Sequence, residues 1–269
     1  MDTSVHGMER PNVATDRTAG QIHARGLSAA WISDTGTVRE KNEDCCLASA
    51  EAGLFLVADG MGGERAGGRA ARIVTDRIPE LLAEHLPASE EPEVHRVELA
   101  IKDAALEVNH FIRGEAARMM GKMGATMVLA IVNPPWLHVG HMGDSRAYLM
   151  ADGDLRRLTM DHSVVGILVR RGAISPEQAR SHPMRGQLSR YVGMGGNASA
   201  DVKTVSWKPH ARILLCTDGL TEALTDDELA EQLQKRSEPM EACEALTDAA
   251  KTAGSRDNIT VMVVQNTSP

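Results

Sequence analysis

The chain has 269 residues, of which 42% are hydrophobic, enough to fill the core of one large domain. Lys and Arg total 29 against 37 Asp and Glu, so the formal net charge is -8. This acidic excess disfavours a surface that binds nucleic acid or an anionic membrane, and we predict neither as a partner.

Residues 1–26 are polar and show no regular hydrophobic period, which predicts a flexible N-terminal extension. They lack the basic start and apolar stretch of a secretory signal, and the longest apolar run, Met127 to Val132, is too short for a membrane helix. We therefore expect a cytoplasmic protein. The four cysteines have no C-x-x-C spacing, and we expect free thiols packed in the core.

From residue 27 the hydrophobic pattern predicts strands and helices in chain order. The N-terminal half gives three strands and then two helices, the first broken or kinked at Pro79: Leu27–Ser33, Asp44–Ala48, Leu54–Ala58, Glu64–Leu86 and Glu93–Arg118. Three strands follow, at Ala125–Val132, Trp136–Met142 and Ala147–Met150. After an arginine-rich stretch, the chain closes with two strands, two helices and a strand: Val202–Trp207, Ile213–Thr217, Asp226–Gln234, Pro239–Ala253 and Ile259–Gln265.

Strands in runs, interrupted by paired helices, do not give the βαβ alternation of a parallel sheet. The pattern predicts an α+β fold over residues 27–266, with two central antiparallel sheets face to face and helix pairs outside them. The arginine-rich stretch is predicted to be a lid or insertion, and its arginines form either a solvated basic face or a dock for acidic substrate segments.

Three aspartates lie where an apolar strand ends or begins: Asp59, Asp218 and Asp257. Converging carboxylates repel one another, and a divalent cation removes that repulsion. Ligands that are all oxygen select Mg²⁺ or Mn²⁺ over zinc. Each of these residues alone is compatible with a simple turn, so the prediction of a metal site depends on their joint occurrence.

A glycine-rich loop, GMGGERAGGRAA, follows Asp59. It matches neither G-x-G-x-x-G nor the P-loop pattern, because Arg65 replaces the third glycine and no Lys follows. The glycines would instead let a backbone carbonyl such as that of Gly60 approach a metal. Ser145 and Ser163 lie near histidines, but the G-x-S-x-G pattern of a nucleophilic serine is absent.

Seven segments occur in the order typical of one family, the metal-dependent PP2C-type protein serine/threonine phosphatases, which the chain resembles from about residue 27 to 265. They are REKNED (39–44), VADGMGG (57–63), GAT (124–126), HMGDSR (141–146), DHS (161–163), CTDGL (216–220) and SRDNIT (255–260). The family's fold is a four-layer α-β-β-α sandwich. The resemblance also identifies residues 156–196 as the family's flap beside the active site.

The resemblance implies two Mn²⁺ or Mg²⁺ ions and a metal-bridging water that attacks phosphoserine or phosphothreonine directly. By motif, Asp59 would bridge the ions and the Gly60 carbonyl would bind the second. Asp218 and Asp257 would complete the first. Glu43 and Asp44 would hold metal-bound waters, and Arg39 would bind the phosphate with its guanidinium fork.

Two positions depart from the family pattern. Met61 stands where many relatives have a histidine that protonates the leaving group. Met119 stands where the resemblance places an acidic ligand of a third metal, and residues 118–123 contain no acidic residue, so we predict a third site that is weak or absent.

The resemblance implies phosphorylated proteins as substrates and a cognate Ser/Thr kinase as the opposing enzyme, and we expect a monomer. The segment RYVGMGG (190–196) resembles phosphatases that accompany a kinase in bacterial type VI secretion clusters. The alternative is a catalytically weak, phosphoprotein-binding regulator with the same fold. It is disfavoured because all the metal carboxylates are present. Another two-metal hydrolase, such as a nuclease, is disfavoured by the acidic surface.

Overall fold

A computed structural model of the chain describes residues 17–62, 66–86, 92–196 and 198–268. One sheet of six antiparallel strands has the spatial order β1-β2-β13-β12-β9-β10. In chain order its strands are β1 (Arg17–Ala24), β2 (Leu27–Asp34), β9 (Arg146–Ala151), β10 (Asp154–Arg157), β12 (Arg212–Cys216) and β13 (Ile259–Asn266).

A second antiparallel sheet of five strands has the order β11-β8-β7-β4-β3. Its strands are β3 (Cys45–Ser49), β4 (Leu54–Ala58), β7 (Met127–Asn133), β8 (Trp136–Met142) and β11 (Asp201–Ser206). Two short strands, β5 (Gly60–Met61) and β6 (Gly124–Ala125), pair with each other beside this sheet.

Helices cover the outer face of each sheet. The second sheet packs against α1 (Ala66–His85) and α2 (Val94–Arg118). The first sheet packs against α5 (Asp218–Thr221), α6 (Asp226–Lys235) and α7 (Pro239–Thr252). Residues 158–196, here called the flap, carry two short helices, α3 (Val164–Arg170) and α4 (Pro176–Arg180).

The central strands are buried on both faces, and their successive side chains enter different layers of the core. In β2, Trp31 packs between the two sheets, while Ala30 and Ile32 face the helices. In β4, Phe55 and Val57 point into the layer between the sheets. The four-layer α-β-β-α sandwich predicted from the sequence is therefore confirmed. The four cysteines are buried and free, as expected.

The prediction of a flexible extension over residues 1–26 is wrong for residues 17–24, because they form β1 at the edge of the six-stranded sheet. This strand alternates between exposed and half-buried residues and is mostly polar, so it lacks an apolar signal. Gly20 lets β1 lie flat on Trp31, since a Cβ there would meet the indole at 2.2 Å. Residues 1–16 of that prediction lie outside the described residues.

Smaller corrections concern a helix, a strand and the flap. Helix α1 continues through the buried Pro79 without a break. The predicted strand 125–132 is divided at Thr126, whose side chain and backbone contact Asp59 instead. The first two residues of the predicted flap, Arg156 and Arg157, belong to β10.

Candidate metal centre

Acidic residues from both sheets meet at one end of the sandwich. Asp59 follows β4 and Asp44 precedes β3, and the register Cys45↔Ala58 makes them neighbours across that pair. Asp218 follows β12 and Asp257 precedes β13 in the other sheet, where the register Cys216↔Val261 brings them to the same edge. The structure thus brings together the aspartates that the sequence pattern selected.

Asp44 is buried and joins the two sheets. Its Oδ2 accepts hydrogen bonds from the hydroxyls of Thr217 (2.9 Å), which directly follows β12, and of Thr260 (2.7 Å) in β13 of the opposite sheet. Burial raises the pKa of Asp44 to about 7, and the charges of Asp257 and Glu43 act in the same direction. The two threonine hydroxyls oppose that rise by stabilising the carboxylate.

Asp59 is fixed through its backbone, which leaves its carboxylate available. Its N–H donates to Thr126 Oγ1 (2.9 Å), and its carbonyl accepts from the Thr126 N–H (2.8 Å). Thr126 is held in turn by a hydroxyl–hydroxyl bond of 2.6 Å to Ser145. Loss of hydration and repulsion from Asp44 and Asp218, together with Asp144 and Asp257, raise the pKa of Asp59 well above its ordinary value.

Gly60 occupies a place where a side chain cannot fit. A Cβ on Gly60 would lie 2.1 Å from the Gly67 carbonyl oxygen and 2.7 Å from that of Glu43. A Cβ on Gly67 would lie 2.7 Å from the Gly60 oxygen and 2.8 Å from Glu43 Oε1. Gly60 and Gly67 thus allow the start of α1 to lie against the carbonyl of Gly60 and the carboxylate of Glu43.

Asp218 carries the most direct sign of a missing partner. It is the first residue of α5, and its Oδ1 is buried without a hydrogen bond. Loss of hydration and the charges of Asp144 and Asp257 raise the pKa of Asp218 well above its ordinary value. Gly219 packs so closely that a Cβ would lie 2.0 Å from the Asn258 carbonyl, which fixes α5 against the loop of Asp257. A cation would satisfy the unpartnered oxygen.

Asp257 and Arg39 form an ion pair at the open side of the centre. Arg39 Nη2 donates to Asp257 Oδ2 at 2.6 Å, and the Arg39 side chain is half exposed. The charge and hydrogen bond of Asp257 keep the pKa of Arg39 raised despite some loss of hydration. Asn258 connects this loop to Glu43, because its Oδ1 accepts from the Glu43 N–H at 2.8 Å.

Asp144 is a member of the cluster that the sequence prediction missed. It lies two residues before β9, whose end at Arg146 pairs with Cys216. Loss of hydration raises the pKa of Asp144 to about 7, and its charge acts on Asp59 and Asp218. Its position before an apolar strand is the signal that selected Asp257 and could have identified it. Met119, the C-cap of α2, is exposed, and a third metal site that is weak or absent stays a prediction.

A different group has the tightest geometry for a metal within the described part of the chain. His141, His162 and Asp201 offer ligand atoms within 4.8 Å of one another, and the two rings stack at 4.5 Å. Yet His162 Nδ1 accepts from the Gly143 N–H (3.2 Å), while its Nε2 bonds to Asp201 (3.0 Å). This leaves His162 without a free lone pair. We therefore assign the group to bracing the flap rather than to metal binding.

Comparison with known proteins agrees with this architecture. Residues 36–252 match the family described as Protein phosphatase 2C. The serine/threonine phosphatase stp of Listeria monocytogenes serovar 1/2a is 34% identical over 254 residues, covering 89% of this chain and 96% of that protein. No helix in the described ranges is both long and apolar enough to cross a membrane.

Solved structures give the same result. PppA, described as a key regulatory component of T6SS in Pseudomonas aeruginosa, superposes with a TM-score of 0.77 at 29% identity, covering 92% of this chain and 99% of that one. The catalytic domain of PstP in complex with two manganese ions gives a TM-score of 0.76 at 31% identity, covering 89% of this chain and 97% of that one. With family motifs, fold and site in agreement, the chain belongs to the protein phosphatase 2C family and is an enzyme of the protein serine/threonine phosphatase class.

Proposed function

We propose that this phosphatase hydrolyses phosphoserine and phosphothreonine in proteins at a centre for two Mn²⁺ or Mg²⁺ ions held by Asp59, Gly60, Asp218 and Asp257. The observation that carries the proposal is the unpartnered Oδ1 of Asp218 in a cluster of carboxylates whose pKa values are raised. The manganese ions of the related PstP structure support the choice of metal.

The chemistry of the donor set fits such cations. Carboxylates and a backbone carbonyl are the oxygen ligands that Mg²⁺ and Mn²⁺ prefer, and no histidine or thiol is among them. Two such cations, when bound, lower the pKa of a shared water and stabilise the negative charge of the reacting phosphate. The residues of the chain have to position that water, orient the phosphate and keep the carboxylates ionised.

Asp44 and Glu43 are assigned to hold water. Oδ2 of Asp44 already accepts hydrogen bonds from the hydroxyls of Thr217 and Thr260. We therefore propose that its Oδ1 would accept a hydrogen bond from the water that attacks the phosphate. These hydroxyls fix the carboxylate plane and favour its ionised form. Glu43 is held through its N–H by Asn258, and its carboxylate lies against Gly67 at the start of α1.

Arg39 is assigned to bind the phosphate. Its guanidinium can donate two parallel hydrogen bonds to phosphate oxygens, and its half exposure at the open side of the centre gives it access to a substrate. In the structure, its Nη2 donates to Asp257 Oδ2 at 2.6 Å. Binding of phosphate would therefore exchange one anionic partner for another.

Met61 cannot protonate the departing serine or threonine oxygen. The residue is half-buried in β5 and pairs with Gly124 of β6. A thioether carries no proton to donate. The proton for the leaving group therefore has to come from water or from another group.

Phosphoprotein substrates and opposition to Ser/Thr kinases are properties of the family. We propose in addition that this chain acts in the cytoplasm as a monomer, opposite one cognate kinase. The likeness to PppA over 92% of the chain, together with the RYVGMGG segment, supports a link to a type VI secretion system.

The test is release of phosphate from a phosphothreonine peptide with Mn²⁺ by the wild type and by Asp59→Asn. We expect the variant to lose activity by about a thousandfold or more, and EDTA to abolish wild-type activity. Asp154→Asn, on the exposed surface of β10, is the matched control and should retain activity. Activity that persists in EDTA or in Asp59→Asn would overturn the mechanism. Peptide binding without turnover by the Mn²⁺-loaded wild type would favour the regulator.

A further inference from the structure

Arg180, the last residue of α4 in the flap, donates three hydrogen bonds to backbone carbonyls. Its Nη1 contacts the oxygens of Thr221 (3.4 Å) and Leu224 (3.2 Å), and its Nη2 contacts the oxygen of Glu222 (3.1 Å). These carbonyls end the helical turn that begins with Asp218. A cation at the C-terminal end of such a turn is also favoured by the partial negative charge there.

The other carbonyls of this turn already have partners, either within the segment itself or from Ser255. The Asp218 carbonyl accepts from the Glu222 N–H at 2.7 Å, and the Gly219 carbonyl accepts from the Ser255 hydroxyl at 2.7 Å. The Leu220 carbonyl accepts from the Leu224 N–H at 3.0 Å. Arg180 therefore supplies the hydrogen bonds at the end of the turn, where the partners come from the flap rather than from the sandwich.

The flap is built to hold Arg180 in this position. Helix α4 begins with a reciprocal cap in which the Gln178 N–H donates to Ser175 Oγ (3.2 Å) and the Ser175 N–H donates to Gln178 Oε1 (2.7 Å). Pro176 follows the cap and fixes the first helical φ angle. Farther along the flap, Arg185 Nε lies 3.8 Å from Glu222 Oε1 and adds a second contact to the same segment.

From these contacts we propose that Arg180 is a positioning residue that couples the flap to the metal centre by holding the turn on which Asp218 lies. The proposal rests on the proposed function, because it assigns Asp218 to the metal. It differs from a substrate dock, in which the guanidinium would have to be free for acidic or phosphorylated segments. Here the guanidinium is engaged with carbonyls of its own chain.

The consequence is a specific pattern of defects in Arg180→Ala and Arg180→Gln. Without the guanidinium, the end of the turn is held less firmly and Asp218 is less well placed. We expect the dissociation constant for Mn²⁺ to rise about tenfold, in line with the loss of charge-assisted hydrogen bonds. KM for a phosphothreonine peptide and for a small aryl phosphate should be unchanged once Mn²⁺ is saturating.

The experiment measures Mn²⁺ binding by calorimetry and kcat and KM on both substrates, for the wild type and for variants at position 180. Arg180→Lys keeps the charge and should recover part of the Mn²⁺ affinity, which also covers the case in which Arg180→Ala does not fold. Arg171→Ala, at the exposed C-cap of α3, is the matched control from the same flap and should behave as the wild type.

An Mn²⁺ affinity that is unchanged in folded Arg180→Ala and Arg180→Gln would overturn the proposal. A rise in KM for the phosphopeptide alone would overturn it in favour of substrate docking. A wild type that binds no Mn²⁺ would instead refute the proposed function, so the two failures are distinguishable.

Discussion

Two sets of partly or fully buried carboxylates, that of Asp161 and that of the metal centre, have pKa values shifted in opposite directions. Asp161 receives two hydrogen bonds from Arg146, at 3.1 and 2.8 Å, and also pairs with Arg157. These arginines lower the pKa of Asp161 although burial acts to raise it. Asp144 and Asp218, which face other carboxylates, have raised pKa values. A buried carboxylate that is paired with arginines indicates a structural role. Buried carboxylates that repel one another indicate a site where a cation binds.

The largest expected effect is that of Asp218→Asn. The amide removes one negative charge from the cluster, so we expect phosphatase activity to fall about a thousandfold or more while the metal-free protein becomes more stable. The melting temperature in EDTA should rise by about 3 °C, which corresponds to about 1 kcal/mol for a chain of this size. Asp227→Asn, on the exposed side of α6, is the control. A variant that is both inactive and less stable in EDTA would contradict the repulsion that we infer.

Asp161→Asn should show the reverse. Removing the carboxylate leaves Arg146 and Arg157 without their shared anionic partner, which typically costs about 3 kcal/mol for a buried pair. The melting temperature should fall by roughly 6–12 °C, measured by thermal denaturation at pH 7. An unchanged melting temperature would show that the ion pairs of Asp161 with Arg146 and Arg157 contribute no stability. It would contradict the structural role that we infer for Asp161.

The pH dependence of stability separates the two groups further. A carboxyl whose pKa is raised in the folded state stabilises the fold below its unfolded pKa, and that stability is lost as the pH rises through the folded value. Asp44 and Asp144, with pKa values of about 7, should therefore lower the melting temperature of the metal-free protein between pH 6.5 and 8.5. Asp161 stays ionised throughout this range.

Below about pH 6.5, buried His162 has the opposite effect on stability. Burial lowers the pKa of His162 to about 4, so its contribution to stability is lost as the pH falls below about 6.5 and would oppose the effect of the carboxyls. Saturating Mn²⁺ should reverse the trend above pH 6.5, because the metal binds ionised carboxylates. A melting temperature in EDTA that rises from pH 6.5 to 8.5 would contradict the raised pKa values.

The smallest effect is expected for Thr260→Val compared with Thr260→Ser. Valine removes one of the two hydroxyls that stabilise ionised Asp44, whereas serine keeps it. We expect the acidic limb of the pH–rate profile to move up by roughly half a unit to one unit in Thr260→Val, the equivalent of about 1 kcal/mol. Equal profiles for the two variants would show that the ionisation of Asp44 does not limit the rate.

The strands that the sequence predicted best are those buried on both faces. The observed bounds of β4 and β8 agree with the prediction at both ends, because a continuous apolar run ends where burial ends. Strand β1 could not be predicted in this way, since its place depends on Gly20 and on the indole of Trp31 in the neighbouring strand. A contact of that kind leaves no periodic signal in the sequence.

Some residues of the candidate site could likewise be predicted from the sequence, and others could not. Asp59, Asp218 and Asp257 could be selected because each adjoins an apolar strand, a local feature of the sequence. The hydrogen bonds of Thr217 and Thr260 to Asp44 could not be predicted, because they depend on the tertiary fold. The two threonines are separated from Asp44 by 173 and 216 positions in the sequence. Likewise, the charge run of the flap suggested a basic surface, whereas Arg180 and Arg190 are engaged with backbone carbonyls of the chain itself.

The most direct test of the central claim is a calorimetric titration of the metal-free protein with Mn²⁺ at pH 7, in two buffers that differ in ionisation enthalpy. Asp59 and Asp218, whose pKa values are raised, must be ionised to bind the metal, so the account predicts about two ions bound per chain with net release of protons. Asp218→Asn should lose at least one of the ions. Binding without proton release, or binding that Asp218→Asn leaves unchanged, would contradict the assignment of this cluster as the metal centre.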